Sequence, residues 1–90
     1  MTIWKYQLAT DVVQQEIDMP MEAEFLSVQL QRGVPCLWVA INPDAERRKL
    51  GFEWVPTGAE TPELGVYVGT VLMDDGNLVL HLYETGHDGD

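Results

Sequence analysis

The sequence predicts a single small all-β domain, a meander-type sandwich or partly open barrel of about seven short antiparallel strands. Two observations favour this class. Leu26, Val28 and Leu30 alternate with Ser27 and Gln29, and a period of two is typical of a half-buried strand. Turn-forming residues separate almost all such runs, and no stretch has the helical period or the length that a β-α-β unit requires.

Two strands are expected at the beginning of the chain, over residues 3–8 and 16–19. In the first, Trp4 and Tyr6 share one face. The second ends at Pro20, because proline has no N–H group to donate to a strand ladder.

A hairpin is expected over residues 24–31 and 34–41, with Arg32-Gly33 as a two-residue turn in which Gly33 adopts positive φ. The facing pairs in this register are Val28–Leu37 and Leu26–Val39 on the core side, and Ser27–Trp38 on the other side. The second strand is apolar on both faces, so we expect it to be central in its sheet.

Three further strands are expected, over residues 50–55, 66–73 and 78–84. Asp75-Gly76 is the strongest hairpin signal in the chain. It predicts facing pairs whose small or apolar members share one face: Met73–Leu78, Val71–Leu80 and Gly69–Leu82. Residues 1–84 thus form the predicted domain, and residues 85–90 are predicted to be a disordered acidic tail.

The charge balance restricts the possible partners. Fifteen acidic residues against five basic ones give a formal net charge of −10, which disfavours direct binding to nucleic acid, because phosphate contacts need lysine or arginine. The same charge would attract a basic protein surface. An alternative is that the charge only keeps a small domain soluble.

Nothing in the sequence predicts catalysis, a metal site or a cofactor. Ser27, the only serine, faces Trp38 across a hairpin instead of lying on a nucleophile turn. His81 and His87 are too few for a preformed metal site. The single cysteine, Cys36, lies in an apolar run and is expected to be a small buried hydrophobe. With no signal peptide and no membrane-length apolar run, a cytoplasmic location is expected.

Two sets of residues are candidates for binding. The partner-binding candidates are an apolar and polar patch with surrounding acids: Trp38, Gln29, Gln31, Glu53, Glu60, Glu63, Asp74 and Asp75. The ligand-binding candidates would meet phosphates, stack a base and close a loop: Arg47, Arg48 and Lys49, then Trp54, then Thr57 and Gly58. The basic run also has a plainer interpretation, as a charged strand start that protects a sheet edge.

The opening Met1-Thr2-Ile3-Trp4-Lys5-Tyr6-Gln7-Leu8 resembles that of a family of small bacteriophage and bacterial proteins of unknown function. Further stretches carry the resemblance: residues 19–20, 25–31, 33–38, 41–43, 64–70 and 80–84. Members of that family often have Gly-Thr-Gly-His-Pro after the fifth strand. This chain has Pro56-Thr57-Gly58-Ala59-Glu60, so Ala59 replaces the histidine and no role of that histidine can be transferred.

These observations lead to a function hypothesis with an alternative. The first is a non-enzymatic acidic binding protein, a phage-type counter-defence inhibitor that occupies a basic surface of a host protein in the host cytoplasm. The alternative is a homo-oligomeric sponge that sequesters a nucleotide-like signalling molecule between subunits. A passive structural module of a larger assembly is a third possibility.

Overall fold

A computed structural model of the chain describes residues 1–87, which form seven strands and no helix. The strands are β1 (Thr2–Gln7), β2 (Gln14–Pro20), β3 (Glu24–Gln31), β4 (Val34–Ile41), β5 (Arg47–Pro56), β6 (Val66–Met73) and β7 (Leu78–His87). One sheet has the order β1-β4-β3 and the other the order β2-β5-β7-β6. All five paired ladders of the described residues are antiparallel.

This arrangement confirms the predicted all-β class of about seven antiparallel strands. The connection order is more complex than a meander, because only β3–β4 and β6–β7 are both consecutive and hydrogen-bonded. The two sheets pack face to face, and β3 of one approaches β6 of the other closely. As predicted, β4 is central in its sheet.

The β6–β7 hairpin has the register that the sequence predicted. Met73 faces Leu78, Val71 faces Leu80 and Gly69 faces Leu82. The turn between the strands begins with two aspartates at positive φ, Asp74 and Asp75, followed by Gly76.

In the β3–β4 hairpin, Val28 faces Leu37 and Ser27 faces Trp38, as expected. The expected Leu26–Val39 pair is wrong, because a β-bulge shifts the register between Phe25 and Ser27. One extra residue reverses the faces of all residues before it. Phe25 therefore faces Val39, and Leu26 is 46% exposed.

Three strands are longer than expected, because polar residues at their ends have partners in the neighbouring strand. β2 begins at Gln14 opposite Glu53, and β5 begins at Arg47 opposite Pro20. β7 continues to His87, and Gly86 and His87 lie opposite Gly51 and Leu50. The expected disorder of the tail therefore does not apply to residues 85–87, and residues 88–90 lie outside the described part of the chain.

The core lies between the sheets and is formed by the inward faces of both. Its most deeply buried members come from four strands: Met19, Leu37, Val39, Ile41, Phe52 and Leu82. Cys36 is also buried, as expected, although it points away from Leu37 on the outer face of β4.

Tyr6 packs against the core, and its hydroxyl is buried without a hydrogen-bond partner among the described residues. Burial raises the pKa of Tyr6 above its ordinary value of 10.0, with Arg47 opposing the shift and Asp18 adding to it. The unfolded chain therefore loses this proton at a lower pH than the folded chain. The contribution of the neutral Tyr6 side chain to the stability of the folded protein is therefore complete below pH 10.0, and it is lost as the pH rises through the pKa of the folded state.

We expect Tyr6→Phe to leave stability at neutral pH unchanged or slightly higher, because it removes a buried hydroxyl that has no partner. It should also reduce the loss of stability at alkaline pH. Urea unfolding of both proteins at about pH 8 and about pH 11 measures this difference. An equal loss of stability in the two proteins would contradict the assignment to Tyr6.

Candidate functional site

His81 lies at the centre of a chain of hydrogen bonds on the outer face of the second sheet. Its Nε2 lies 2.9 Å from the hydroxyl oxygen of Thr57, and its Nδ1 lies 2.8 Å from that of Thr70. The Thr70 oxygen lies in turn 2.6 Å from the hydroxyl of Tyr67. Thr70 and His81 meet because they are directly opposite in the β6–β7 ladder.

Thr57 reaches this cluster because it directly follows β5, which pairs with β7, and its N–H donates to the carbonyl of Val79 at 3.4 Å. From Thr57 onward, residues 57–65 form a crossover loop from β5 to β6. Strands β5 and β6 both pair antiparallel with β7, so they run in the same direction and their connection must return along the sheet. At the far end of the loop, a Cβ atom on Gly65 would lie 3.3 Å from the ring of Tyr83. The Tyr83 ring also meets Tyr67 edge-on, with ring centroids 5.7 Å apart.

The hydrogen bonds of His81 are suited to holding the start of the crossover loop against the sheet. With the proton on Nδ1, His81 donates to Thr70 and accepts from Thr57, so both ring nitrogens are satisfied in the neutral form. A hydroxyl beside an imidazole also supplies two of the three members of a nucleophile triad, but the orienting position is filled here by a hydroxyl instead of a carboxylate. The geometry therefore attaches the crossover loop to the sheet.

The charges are divided unequally along the chain. All five lysine and arginine residues fall within residues 1–49. Residues 50–87 carry none and contain six acids: Glu53, Glu60, Glu63, Asp74, Asp75 and Glu84. In the fold, these acids lie on or beside four elements: the crossover loop, β6, β7 and the turn between β6 and β7. We call these four elements together the acidic region.

Several large apolar side chains of the acidic region are exposed. They lie at the end of the crossover loop and along the edge strand β6: Leu64, Val66, Tyr67 and Leu72. Leu64 is 95% exposed and Leu72 is 58% exposed. The region thus combines negative charge with apolar contact surface.

The residues predicted to bind a partner are divided between two surfaces. Four of the acids are exposed in the acidic region: Glu60, Glu63, Asp74 and Asp75. Glu53 lies beside this region on β5, half-buried, and accepts a hydrogen bond from Gln14.

The other three predicted partner-binding residues lie on the outer face of the first sheet. Trp38 is half-buried between Lys5 and Ser27 of the flanking strands. Gln29 donates to the Ser27 hydroxyl, and Gln31 accepts from the ammonium group of Lys5. Trp38, Gln29 and Gln31 therefore do not form one patch with the predicted acidic residues, which lie on the second sheet and its loops.

The residues of the nucleotide hypothesis are not assembled within one chain. Trp54 is 4% exposed and its indole N–H donates to the carbonyl of Ala9 at 2.7 Å, so it is a core residue and not a stacking platform. The run Arg47, Arg48 and Lys49 opens β5, whereas Thr57 and Gly58 follow its end. A strand of ten residues separates the two groups by roughly 30 Å.

The basic run has other contacts at its own end of the sheet. The guanidinium of Arg47 lies 5.4 Å from the ring centroid of Trp4, a cation–π arrangement. Lys49 faces Asp18 across the β2–β5 ladder. Among the side chains of residues 1–86, no three His, Cys, Asp or Glu come close enough to hold a metal ion together.

The register predicted from Val71–Leu80 and Gly69–Leu82 implies that Thr70 lies opposite His81, but the sequence did not reveal the cluster around them. The missing information was the pairing of β5 with β7, which brings Thr57, the first residue after β5, beside His81. Over the described residues 1–87, no helix has the length and hydropathy needed to cross a membrane.

The fold and this site define a small acidic all-β domain whose crossover loop is attached to the sheet through a histidine. The chain belongs to the family described as Domain of unknown function (DUF7352), whose model matches residues 1–89. No curated protein and no solved structure matches the chain.

Proposed function

We propose that this protein is a non-enzymatic acidic binding domain that docks onto a basic surface of a partner protein through the acidic region. The supporting observation is the charge division: six acids and no lysine or arginine over residues 50–87, beside exposed Leu64, Val66, Tyr67 and Leu72.

The two kinds of side chain contribute differently to binding. Negative charge around an interface accelerates association with a positive partner and selects against acidic ones. The exposed apolar groups supply contact area that remains favourable when salt screens the charges. Aromatic groups such as Tyr67, which is 55% exposed, are frequent anchors of interfaces.

The absence of enzymatic activity is part of the proposal. It is supported by the hydroxyl of Thr70, which occupies the position that a triad carboxylate would take beside His81. The resemblance to phage proteins supports a setting inside an infected cell, where the domain would inhibit a host defence protein.

The test compares two charge variants, each of which removes four negative charges. The site variant is Glu60→Gln/Glu63→Gln/Asp74→Asn/Asp75→Asn. The control variant carries the same change in charge outside the acidic region: Glu22→Gln/Glu24→Gln/Asp44→Asn/Glu46→Gln. All eight residues are exposed, so neither variant disturbs the core.

We expect immobilised wild-type protein to retain one basic host protein, with the site variant retaining about tenfold less and the control variant about as much as the wild type. Retention by the wild type should fall as salt rises from roughly 50 to 150 mM. Quantitative mass spectrometry of the eluates measures both effects. Equal losses in the two variants, or retention that does not depend on salt, would exclude docking through the acidic region.

A further inference from the structure

An apolar cleft of about 290 Å³ opens at the end of the sandwich, where the β1–β2 loop meets the β6–β7 hairpin. Its apolar walls come from that loop and from the ends of β5 and β7: Val12, Val13, Trp54, Pro56, Leu78 and Leu80. Trp54 and Leu80 belong to the core cluster and form the floor. Val13 and Leu78 are exposed at the walls.

The wall formed by the β1–β2 loop is held in position before any ligand binds. The side-chain amide of Gln15 accepts from the N–H of Ala9 and donates to its carbonyl, each at 2.9 Å. The same carbonyl accepts from the indole N–H of Trp54, and the backbone N–H of Trp54 donates to the carbonyl of Val13. A preformed cleft avoids the entropic cost of ordering a loop on binding.

The charge around the cleft is negative. Asp11 is the charged residue among those that line it, and Asp74 and Asp75 lie in the turn that leads into Leu78. The volume is at the lower limit of the roughly 300–1,000 Å³ that is usual for small-molecule sites, so it suits one or two side chains better than a large ligand.

We infer that this cleft receives a bulky apolar side chain of a partner protein, presented by a segment in which arginine or lysine flanks that side chain. The apolar group would contact Trp54 and Leu80, while its cationic neighbours would face Asp11, Asp74 and Asp75. The inference rests on the proposed function, and it adds a specific anchor to a surface otherwise defined by charge.

Three synthetic peptides with blocked ends test the inference. The sequences are Arg-Lys-Phe-Lys-Arg, the same peptide with alanine at the centre, and Glu-Glu-Phe-Glu-Glu. Titration into ¹⁵N-labelled protein, followed by chemical-shift changes, gives dissociation constants even for weak binding. We expect the phenylalanine peptide to bind about tenfold more tightly than the alanine peptide. The indole N–H signal of Trp54 should shift together with Val12, Val13 and Leu78.

Two matched variants separate the cleft from the surrounding charge. Leu78→Asp places a carboxylate in the cleft wall, and Leu26→Asp makes the same change on β3 of the other sheet, at a leucine of similar exposure. Both variants become more negative, so both should attract basic peptides at least as strongly as the wild type does. We expect Leu78→Asp to abolish the preference for phenylalanine over alanine and Leu26→Asp to retain it.

The outcomes distinguish this inference from the proposed function. If both basic peptides bind equally well, or if the shifts lie away from the cleft, the anchor site is excluded while the attraction of basic segments remains. If the acidic peptide binds as well as the basic ones, the charge preference of the proposed function fails. Self-association of the free protein through residues 10–13 and 78–80 would show that a second copy occupies the cleft and would overturn the inference.

Discussion

Replacement of Phe52 by alanine is expected to lower the free energy of unfolding by about 3–5 kcal/mol, the usual cost of removing a buried aromatic ring. Phe52 is 1% exposed at the middle of β5, and its ring meets that of Phe25 edge-on, with centroids 5.7 Å apart. Phe25 belongs to the opposite sheet, so the pair joins the two halves of the sandwich. Because the whole stability of a small domain is about 5–15 kcal/mol, this variant should be close to unfolding at room temperature.

Urea unfolding followed by tryptophan fluorescence measures this loss. A matched control is Leu72→Ala, which removes an exposed side chain and should change stability by less than about 0.5 kcal/mol. If Phe52→Ala kept the wild-type midpoint, the sheets would have to be held together by contacts other than those of the described core.

The strand pattern could be predicted from the sequence wherever a turn determines the register. Arg32-Gly33 and Asp75-Gly76 place Val28 opposite Leu37 and Met73 opposite Leu78, as observed. The prediction fails at the adjacent apolar residues Phe25 and Leu26. Either side chain can fill the core position, and only the tertiary structure selects the larger ring through its contact with Phe52.

Strand ends were harder to predict, because they depend on partners that are distant in sequence. Residues 85–87 look like a polar tail, yet Gly86 and His87 lie opposite Gly51 and Leu50 of β5. The basic residues Arg47 and Arg48 begin a strand because β2 lies beside them. Local propensity carries no information about such neighbours.

The candidate site could be predicted only in part, for a related reason. The hairpin register shows that Thr70 faces His81, but the third member, Thr57, is 24 positions from His81 and lies beside it only because β5 pairs with β7. Trp54 illustrates the opposite error. An aromatic residue beside a basic run is compatible with a nucleotide site, whereas alternation along β5 places its ring in the core.

The scaffold explains how one small domain can present both an acidic surface and an apolar cleft. Each inward side chain of β7 has an outward neighbour, so Leu80 and Leu82 fill the core while His81 and Tyr83 support the crossover loop. The loop places Glu60 and Glu63 above the sheet, and the hairpin turn places Asp74 and Asp75 at its end. The hydrogen bonds of His81 join the start of this loop, at Thr57, to Thr70 of β6.

Gly69 permits a close approach between β6 and β3 of the two sheets, and Gly69→Ala is expected to destabilise the protein by about 1–3 kcal/mol, as overpacking of a core usually does. A Cβ atom at this position would overlap the Cγ1 methyl of Val28 and would lie 3.8 Å from the Val28 backbone nitrogen. Val28 is buried on β3 and branched at Cβ, so its methyl group has little room to rotate away.

The same geometry predicts that a second substitution rescues the first. Val28→Ala alone should cost about 1–2 kcal/mol, because it removes buried methyl groups. In that background the added methyl of Gly69→Ala occupies vacated space, so it should cost little or even stabilise the fold. Urea unfolding of the four proteins in the cycle measures the coupling, expected at about 1–3 kcal/mol in the favourable direction. Losses that simply add would show that β3 and β6 can move apart to accommodate the methyl group, and that the contact at Gly69 does not determine the spacing of the sheets.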